Sequence, residues 1–148
     1  MRTAGLLENI LVLDLADETG SFGSRLLADL GATVIKIECP GGNTERRAGP
    51  FCRRKTDAGI TSLSFAYHNA NKLGILIDPE TDEGKHAFLR LIRTADVLVE
   101  SYPVSLLKAL CQGPEQLRRL NAGLVHISIT GFGRSGPRRG YRFSDSLG

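Results

Sequence analysis

Apolar residues along the chain fall into five short runs, and between most of them apolar positions recur at helical spacing. The first run, Ile10-Leu11-Val12-Leu13-Asp14-Leu15, is bounded by the polar stretch Ala16 to Gly20 and predicts a buried strand. Phe22, Leu26, Leu27 and Leu30 then recur at helical spacing, and Gly31 supplies a stop. Thr33-Val34-Ile35-Lys36-Ile37-Glu38 predicts a second strand, closed by the turn residues Cys39-Pro40-Gly41-Gly42. From Asn43 to about Ile60 the chain is polar, basic and without period, which predicts a long loop. Leu63 to Tyr67 predicts a turn or two of helix, and Gly74 to Asp78 a third strand.

The second half repeats the alternation. After Asp78-Pro79, a helix is predicted to start at Thr81-Asp82-Glu83-Gly84, with an acidic first turn and a basic last turn that suit the helix dipole. Its predicted buried stripe is Ala87, Phe88, Leu91, Ile92 and Ala95. Asp96 to Glu100 is the fourth strand. A short helix around Val104 to Leu110 and another from Pro114 lead to the fifth strand, Leu124 to Ile129. The tail, Thr130 to Gly148, is rich in Gly, Arg and Ser.

Strands alternating with helices imply parallel pairing, so the predicted fold class is α/β, a doubly wound open parallel sheet of Rossmann-like form. Ligands of such sheets sit outside the carboxyl ends of the strands. That rule singles out Asp14 to Thr19, Glu38 to Gly42, Asp78-Pro79, Ser101 to Pro103 and Thr130 to Gly133.

Composition narrows the picture further. A chain of 148 residues with 41% hydrophobic and 24% charged residues is one ordinary globular domain. No apolar run approaches the ~18 residues that span a bilayer, and Glu8 interrupts the N-terminus before a signal-like apolar core. Cytoplasmic location, with no membrane association, is therefore the expectation. Cys39, Cys52 and Cys111 suit reduced thiols, and no pair has metal-ligand spacing. A net charge of +3 is too small to imply nucleic acid. Its distribution leaves two readings: Arg46, Arg47, Arg53, Arg54 and Lys55, with Arg134, Arg138, Arg139 and Arg142, form either a solvated basic surface or a site for a polyanionic ligand such as a phosphorylated cofactor.

Several motifs are weaker than they look. Gly131-Phe132-Gly133-Arg134-Ser135-Gly136 matches the dinucleotide spacing, but Pro137-Arg138-Arg139-Gly140 follows where a helix is required, so a glycine-rich active-site loop is the better reading. His68, His86 and His126 have no partners at metal spacing; His126 reads as a packed or edge residue, and no metal site is predicted. Glu38 stands where a dinucleotide enzyme would place a ribose-binding acid, and a strand-end carboxylate capping or pairing locally is the favoured reading; Asp78 reads likewise as a cap of the following helix.

A series of phrases in order resembles the class III coenzyme A-transferase family, which includes formyl-CoA and carnitine-CoA transferases and α-methylacyl-CoA racemases. They are Val12-Leu13-Asp14-Leu15, Leu26 to Glu38, Pro40-Gly41-Gly42, Gly49-Pro50-Phe51, Asn69-Ala70-Asn71-Lys72, Ile77-Asp78, Ala95 to Glu100, Leu120-Asn121, Ser128 to Gly133 and Gly136-Pro137. The resemblance implies coenzyme A or an acyl-CoA as substrate, a carboxylic acid as second substrate, and a homodimer of interlocked chains. It implies an aspartate nucleophile, with acyl-aspartyl and aspartyl-CoA intermediates. By the same resemblance the CoA-binding residues are Ile77, Asp78 and Pro79, then Ser101 and Tyr102, with Arg142 near a phosphate-reaching position.

Two departures from the family pattern matter. The first strand-to-helix turn carries Ala16-Asp17-Glu18-Thr19-Gly20-Ser21 in place of the family's His-x-Gln or Ala-Gly-Pro signature. Phe143-Ser144-Asp145 stands where racemases place Gly-His-Asp, which favours CoA transfer over racemisation. The family's nucleophile falls beyond Gly148, so no catalytic residue is assigned here. Residues 1–148 are expected to be a truncated N-terminal nucleotide-fold domain, without the small domain and returning C-terminal segment, exposing apolar surface and prone to self-association. An α-methylacyl-CoA racemase-like enzyme and a complete, non-catalytic CoA-binding or interaction module are the alternatives.

Overall fold

The structure is a computed structural model that describes residues 5–53, 59–101, 107, 109–110, 113–139 and 141. Five parallel strands form its frame: β1 (Leu11–Leu15), β2 (Thr33–Glu38), β5 (Leu73–Leu76), β6 (Val97–Glu100) and β7 (Val125–Ser128). They lie in the order β5-β2-β1-β6-β7. The chain moves outward from β1 through β2 to β5, then returns to β6 and β7 on the other side. Strand order therefore reverses between β1 and β6, the topological switch point where doubly wound sheets bind ligands.

Helices cover both faces. α1 (Ser21–Asp29) lies on one; α3 (Asp82–Thr94) and α4 (Pro114–Leu120) lie on the other. The alternation of side chains along each strand divides the core accordingly. Leu13, Leu15, Ile37 and Leu98 pack with Phe88 and Ile92 of α3 and Leu117 of α4. Val12, Val34 and Val99 pack with Ala16, Ala32 and, from α1, Leu27 and Ala28. α3 forms as its sequence predicts: Thr81 Oγ1 accepts from Gly84 N at 3.1 Å, Asp82 and Glu83 occupy the first turn, and Arg93 the last.

Three features differ from the sequence pattern. The outermost strands are not buried: Leu73 and Leu76 of β5 are 59% and 68% exposed, and Val125 and Ile127 of β7 are 54% and 41%. Each has a neighbour on one side only, so an apolar run does not separate an edge strand from a central one. The segment after Asn43 is not one loop. It holds a 3-10 turn (Thr44–Arg47), whose cap Asn43 accepts from Glu45 N at 2.9 Å, and an antiparallel pair, β3 (Phe51–Arg53) with β4 (Ile60–Ser62). These strands of three residues are too short to show a period.

The third difference concerns α1. Phe22, Leu26 and Leu30, whose spacing predicts the helix, face outward at 43%, 47% and 47% exposure, while Ser21 and Ser24 are buried. The reason lies beneath them: on this face the strands carry Asp14 and Lys36, which serines can hydrogen-bond and leucines cannot. α2 (Leu63–His68) extends the exposed stripe, with Tyr67 stacked on Phe22 at 6.1 Å between ring centroids. We expect this apolar stripe to drive self-association, and Leu26→Lys to shift sedimentation velocity profiles toward monomer; unchanged profiles would locate the contact elsewhere.

Candidate functional site

At the switch point the carboxyl ends of β1, β6 and β7 enclose a cleft of about 690 Å³. Asp17, Glu18 and Thr19 line it from the turn after β1, Ser101 from β6, and Ile129, Thr130 and Gly131 from β7. A clasp joins the two central strand ends. Ser101 Oγ donates to Asp17 Oδ1 at 2.6 Å and accepts from Asp17 N at 2.7 Å. Asp17 Oδ1 also accepts from Thr19 N at 3.0 Å and Thr19 Oγ1 at 2.7 Å, so the turn is held through its own first carboxylate.

The glycine-rich segment after β7 forms the third wall. It opens no helix among the described residues, and Gly133 and Gly136 adopt φ of 80° and 87°, conformations that favour glycine. Arg134 ties it down, donating to Ser128 Oγ and to Glu100 Oε1. His126 Nε2 meets the same Glu100 oxygen at 3.2 Å, so His126 is an edge-strand residue paired to a buried carboxylate.

Beneath the turn after β1 lies a buried polar network. Asp14 and Lys36 are Cα partners on β1 and β2, and both are buried. Asp14 accepts from Ala16 N at 2.8 Å, Ser24 Oγ at 2.5 Å, Lys36 Nζ at 3.4 Å and Lys72 Nζ at 2.7 Å. Lys72 spends its remaining two protons on Ser21 O at 2.8 Å and Asn69 Oδ1 at 2.9 Å. Burial pulls the Lys72 ammonium below its usual range, and the Asp14 carboxylate opposes that shift.

Glu38 extends the network. It accepts from Arg46 Nε and Nη2, each at 2.6 Å, and from Asn43 N at 2.9 Å. The Arg46 guanidinium holds the Glu38 carboxyl below the usual carboxylate range, against the cost of burial. A depressed carboxylate contributes stability above its unfolded pKa, and that contribution is lost as pH falls through the folded value. Arg46 is half exposed, so the pair contributes about 1 kcal/mol at most. Arg46 also lies over the Phe65 ring at 3.8 Å, so Arg46→Met should lower unfolding free energy by about 1 kcal/mol more at neutral pH than below the carboxylate range, where only the ring contact is lost. Urea titrations at the two pH values check this; a pH-independent difference would contradict it.

The predicted binding residues that the structure describes are distributed along one edge. Ile77 is buried in the main core, its N–H donating to Glu38 O at 2.8 Å. Asp78 Oδ1 accepts from Glu80 N at 2.9 Å, and Thr81 rather than Asp78 caps α3. Burial, then the Asp78 charge, raises the Cys39 thiol at the end of β2. Pro79 follows in the same half-exposed loop. Ser101 lies on the cleft, three strand spacings from β5, about 14 Å away across the sheet. Tyr102, Arg142, Arg54, Lys55, Cys111 and Phe143-Ser144-Asp145 lie outside the described residues, as does most of the predicted helix at 104–110. No group of three or more His, Cys, Asp or Glu among the described residues could hold a metal ion.

A family model described as CoA-transferase family III matches residues 7–147. The chain belongs to that family. The succinyl-CoA:(R)-benzylsuccinate CoA-transferase subunit BbsE of Thauera aromatica is 41% identical over 134 residues, 90% of this chain and 32% of that protein. The acetyl-CoA:oxalate CoA-transferase of Acetobacter aceti is 35% identical over 145 residues, covering 97% of this chain and 36% of that protein. A CaiB/BaiF family protein from Brucella suis superposes with a TM-score of 0.88 at 33% identity, over 98% of this chain and 38% of that one. This family III chain thus spans about a third of the length of the relatives it matches. The resemblance read from its strand-end phrases and the doubly wound parallel sheet are both found.

Sequence reasoning missed Lys36, Lys72 and Asn43 as a connected unit. One signal was available: Val34, Lys36 and Glu38 share one face of a strand whose other face is Ile35 and Ile37, so charges lie where a covered sheet should be apolar.

Proposed function

We propose that these residues form the CoA-binding, N-terminal nucleotide-fold portion of an enzyme that transfers coenzyme A between carboxylic acids. The observation that carries this reading is the cleft at the switch point of a family III domain, where doubly wound sheets receive nucleotides and their derivatives. Ile77, Asp78 and Pro79 at the β5 end and Ser101 at the β6 end are the proposed CoA contacts, with Tyr102 and Arg142 alongside them. The relatives named above act on succinyl-CoA, benzylsuccinate, acetyl-CoA and oxalate, which supports an acyl-CoA and a carboxylic acid as the substrate pair. The reaction runs through an aspartyl-CoA intermediate in this reading. The nucleophile is supplied by sequence outside these residues, and a cytoplasmic homodimer is its setting.

Calorimetric titration with coenzyme A tests the proposal directly. Saturable binding that weakens in Asp78→Ala is the expected result. A folded chain that shows no saturable binding of coenzyme A would end it.

A further inference from the structure

Lys36 is hard to account for as a stabilising residue. It is 2% exposed and sits mid-strand on β2, where an aliphatic side chain would fill the space. A buried charge is costly to desolvate, and replacing buried ionic groups with apolar ones of similar volume is often neutral or stabilising. The charge balance sharpens the point, because Asp14 already has a partner in Lys72 at 2.7 Å, so the second ammonium is surplus to pairing.

What Lys36 touches is the turn after β1. Its ammonium donates to Ala16 O and lies 3.4 Å from Asp14 Oδ1 and from Ser21 Oγ. Asn43 Nδ2 donates to the same Ala16 carbonyl at 3.0 Å, and Asp14 Oδ1 accepts from Ala16 N at 2.8 Å. The Ala16 residue is thus clamped at its carbonyl by two donors and at its N–H by a carboxylate. The next residue, Asp17, enters the clasp with Ser101, and Asp17 to Thr19 form one wall of the cleft. The small hollow of about 180 Å³ between Lys36, Glu38, Arg46 and Lys72 is no rival ligand site, since the Lys72 protons and the Arg46 Nε and Nη2 are already committed.

We infer that Lys36 is a positioning residue: acting through the Ala16 carbonyl from below, and with Ser101 acting on Asp17 from across the switch point, it fixes the turn that walls the cleft. The inference rests on the CoA reading only for its consequence in binding. The geometry of the turn can be tested without a ligand.

The experiment uses Lys36→Met, which keeps an unbranched side chain without its ammonium and leaves Asp14 paired with Lys72. Hydrogen exchange of the Asp17, Thr19 and Gly20 amides is expected to quicken on the order of tenfold, while the β1 and β2 ladder amides keep their protection. Coenzyme A affinity is expected to fall roughly tenfold or more with the melting temperature maintained. Ser101→Ala reports on the same turn from its exposed side should Lys36→Met fold poorly, and the double variant should be less than additive because both act on one element. Unchanged exchange in the turn, or a loss of protection spread evenly over the domain, overturns the inference. Quickened turn exchange in a chain whose wild type binds no coenzyme A would uphold the positioning role and defeat the CoA reading.

Discussion

Asp14→Asn is expected to destabilise the domain by about 3–5 kcal/mol, the cost of leaving buried charges without their counterion. Lys36 and Lys72 have side-chain exposures of 2% and 1%, and Asp14 is their only carboxylate within ion-pair distance among the described residues. Asparagine would keep the shape, and its carbonyl oxygen could still accept from Ala16 N or Ser24 Oγ. It would set two ammonium groups against a neutral amide in a site closed to water. Whole-domain stability is typically about 5–15 kcal/mol, so this single change takes a large share of it. Urea unfolding followed by circular dichroism measures the loss. A decrease under about 1 kcal/mol would mean that the two lysines find other compensation when Asp14 is neutralised. The companion triple variant, Asp14→Leu with Lys36→Met and Lys72→Met, removes every charge of the triad and should recover most of the stability. It should not recover the turn geometry.

The contrast between those variants separates two uses of the same residues. Stability needs the charges to balance; the cleft needs the Ala16 carbonyl and the Asp17 carboxylate held where they are. On the α1 face the sheet is apolar at Val12 and Val34 and polar two residues further along each strand, at Asp14 and Lys36, and then at Glu38. The apolar half is covered by Leu27 and Ala28, the polar half by Ser21 and Ser24. Placing the polar half at the carboxyl edge puts fixed donors and acceptors beside the switch point.

Much of this was legible in the chain, and the reasons for the exceptions are physical. The central strands β1, β2 and β6 read correctly because burial on both faces leaves them apolar except at Asp14, Lys36 and the strand-end carboxylates Glu38 and Glu100. α3 read correctly because its cap, its charged turns and its stripe agree. β5 and β7 carry the same apolar residues as central strands, and position in the sheet depends on contacts that no local pattern encodes. The spacing of Phe22, Leu26, Leu27 and Leu30 gives the right helix, yet of these only Leu27 packs on the sheet, because the sheet beneath is polar where the helix starts. The β3–β4 pair was invisible for want of length. The sheet rule and the family resemblance both point to the strand ends as the candidate site. The Lys36 clamp needed the register of β1 against β2, which fixes Asp14 opposite Lys36.

Gly84→Ala should destabilise the domain by about 2–3 kcal/mol, although alanine is the better helix former by about 1 kcal/mol. Gly84 lies in the first turn of α3, and a Cβ there would sit 1.9 Å from Asp78 O and 2.8 Å from Asp78 C. The obstacle is backbone, so no side-chain rotation relieves it. Nor can the loop retreat freely: Ile77 is buried in the main core with its N–H on Glu38 O, and Asp78 O accepts from Thr81 Oγ1 at 3.1 Å. Relief requires moving either the start of α3 or the Ile77-Asp78-Pro79 segment, which is the β5 half of the proposed CoA site. Two measurements follow from one substitution. The urea midpoint should fall, and coenzyme A affinity should fall with it even in conditions where the variant is fully folded. A variant as stable as the wild type would show that α3 can shift away at no cost. A destabilised variant with unchanged affinity would take the β5 strand end out of the site and leave the cleft beside Ser101 as the place where coenzyme A must be sought.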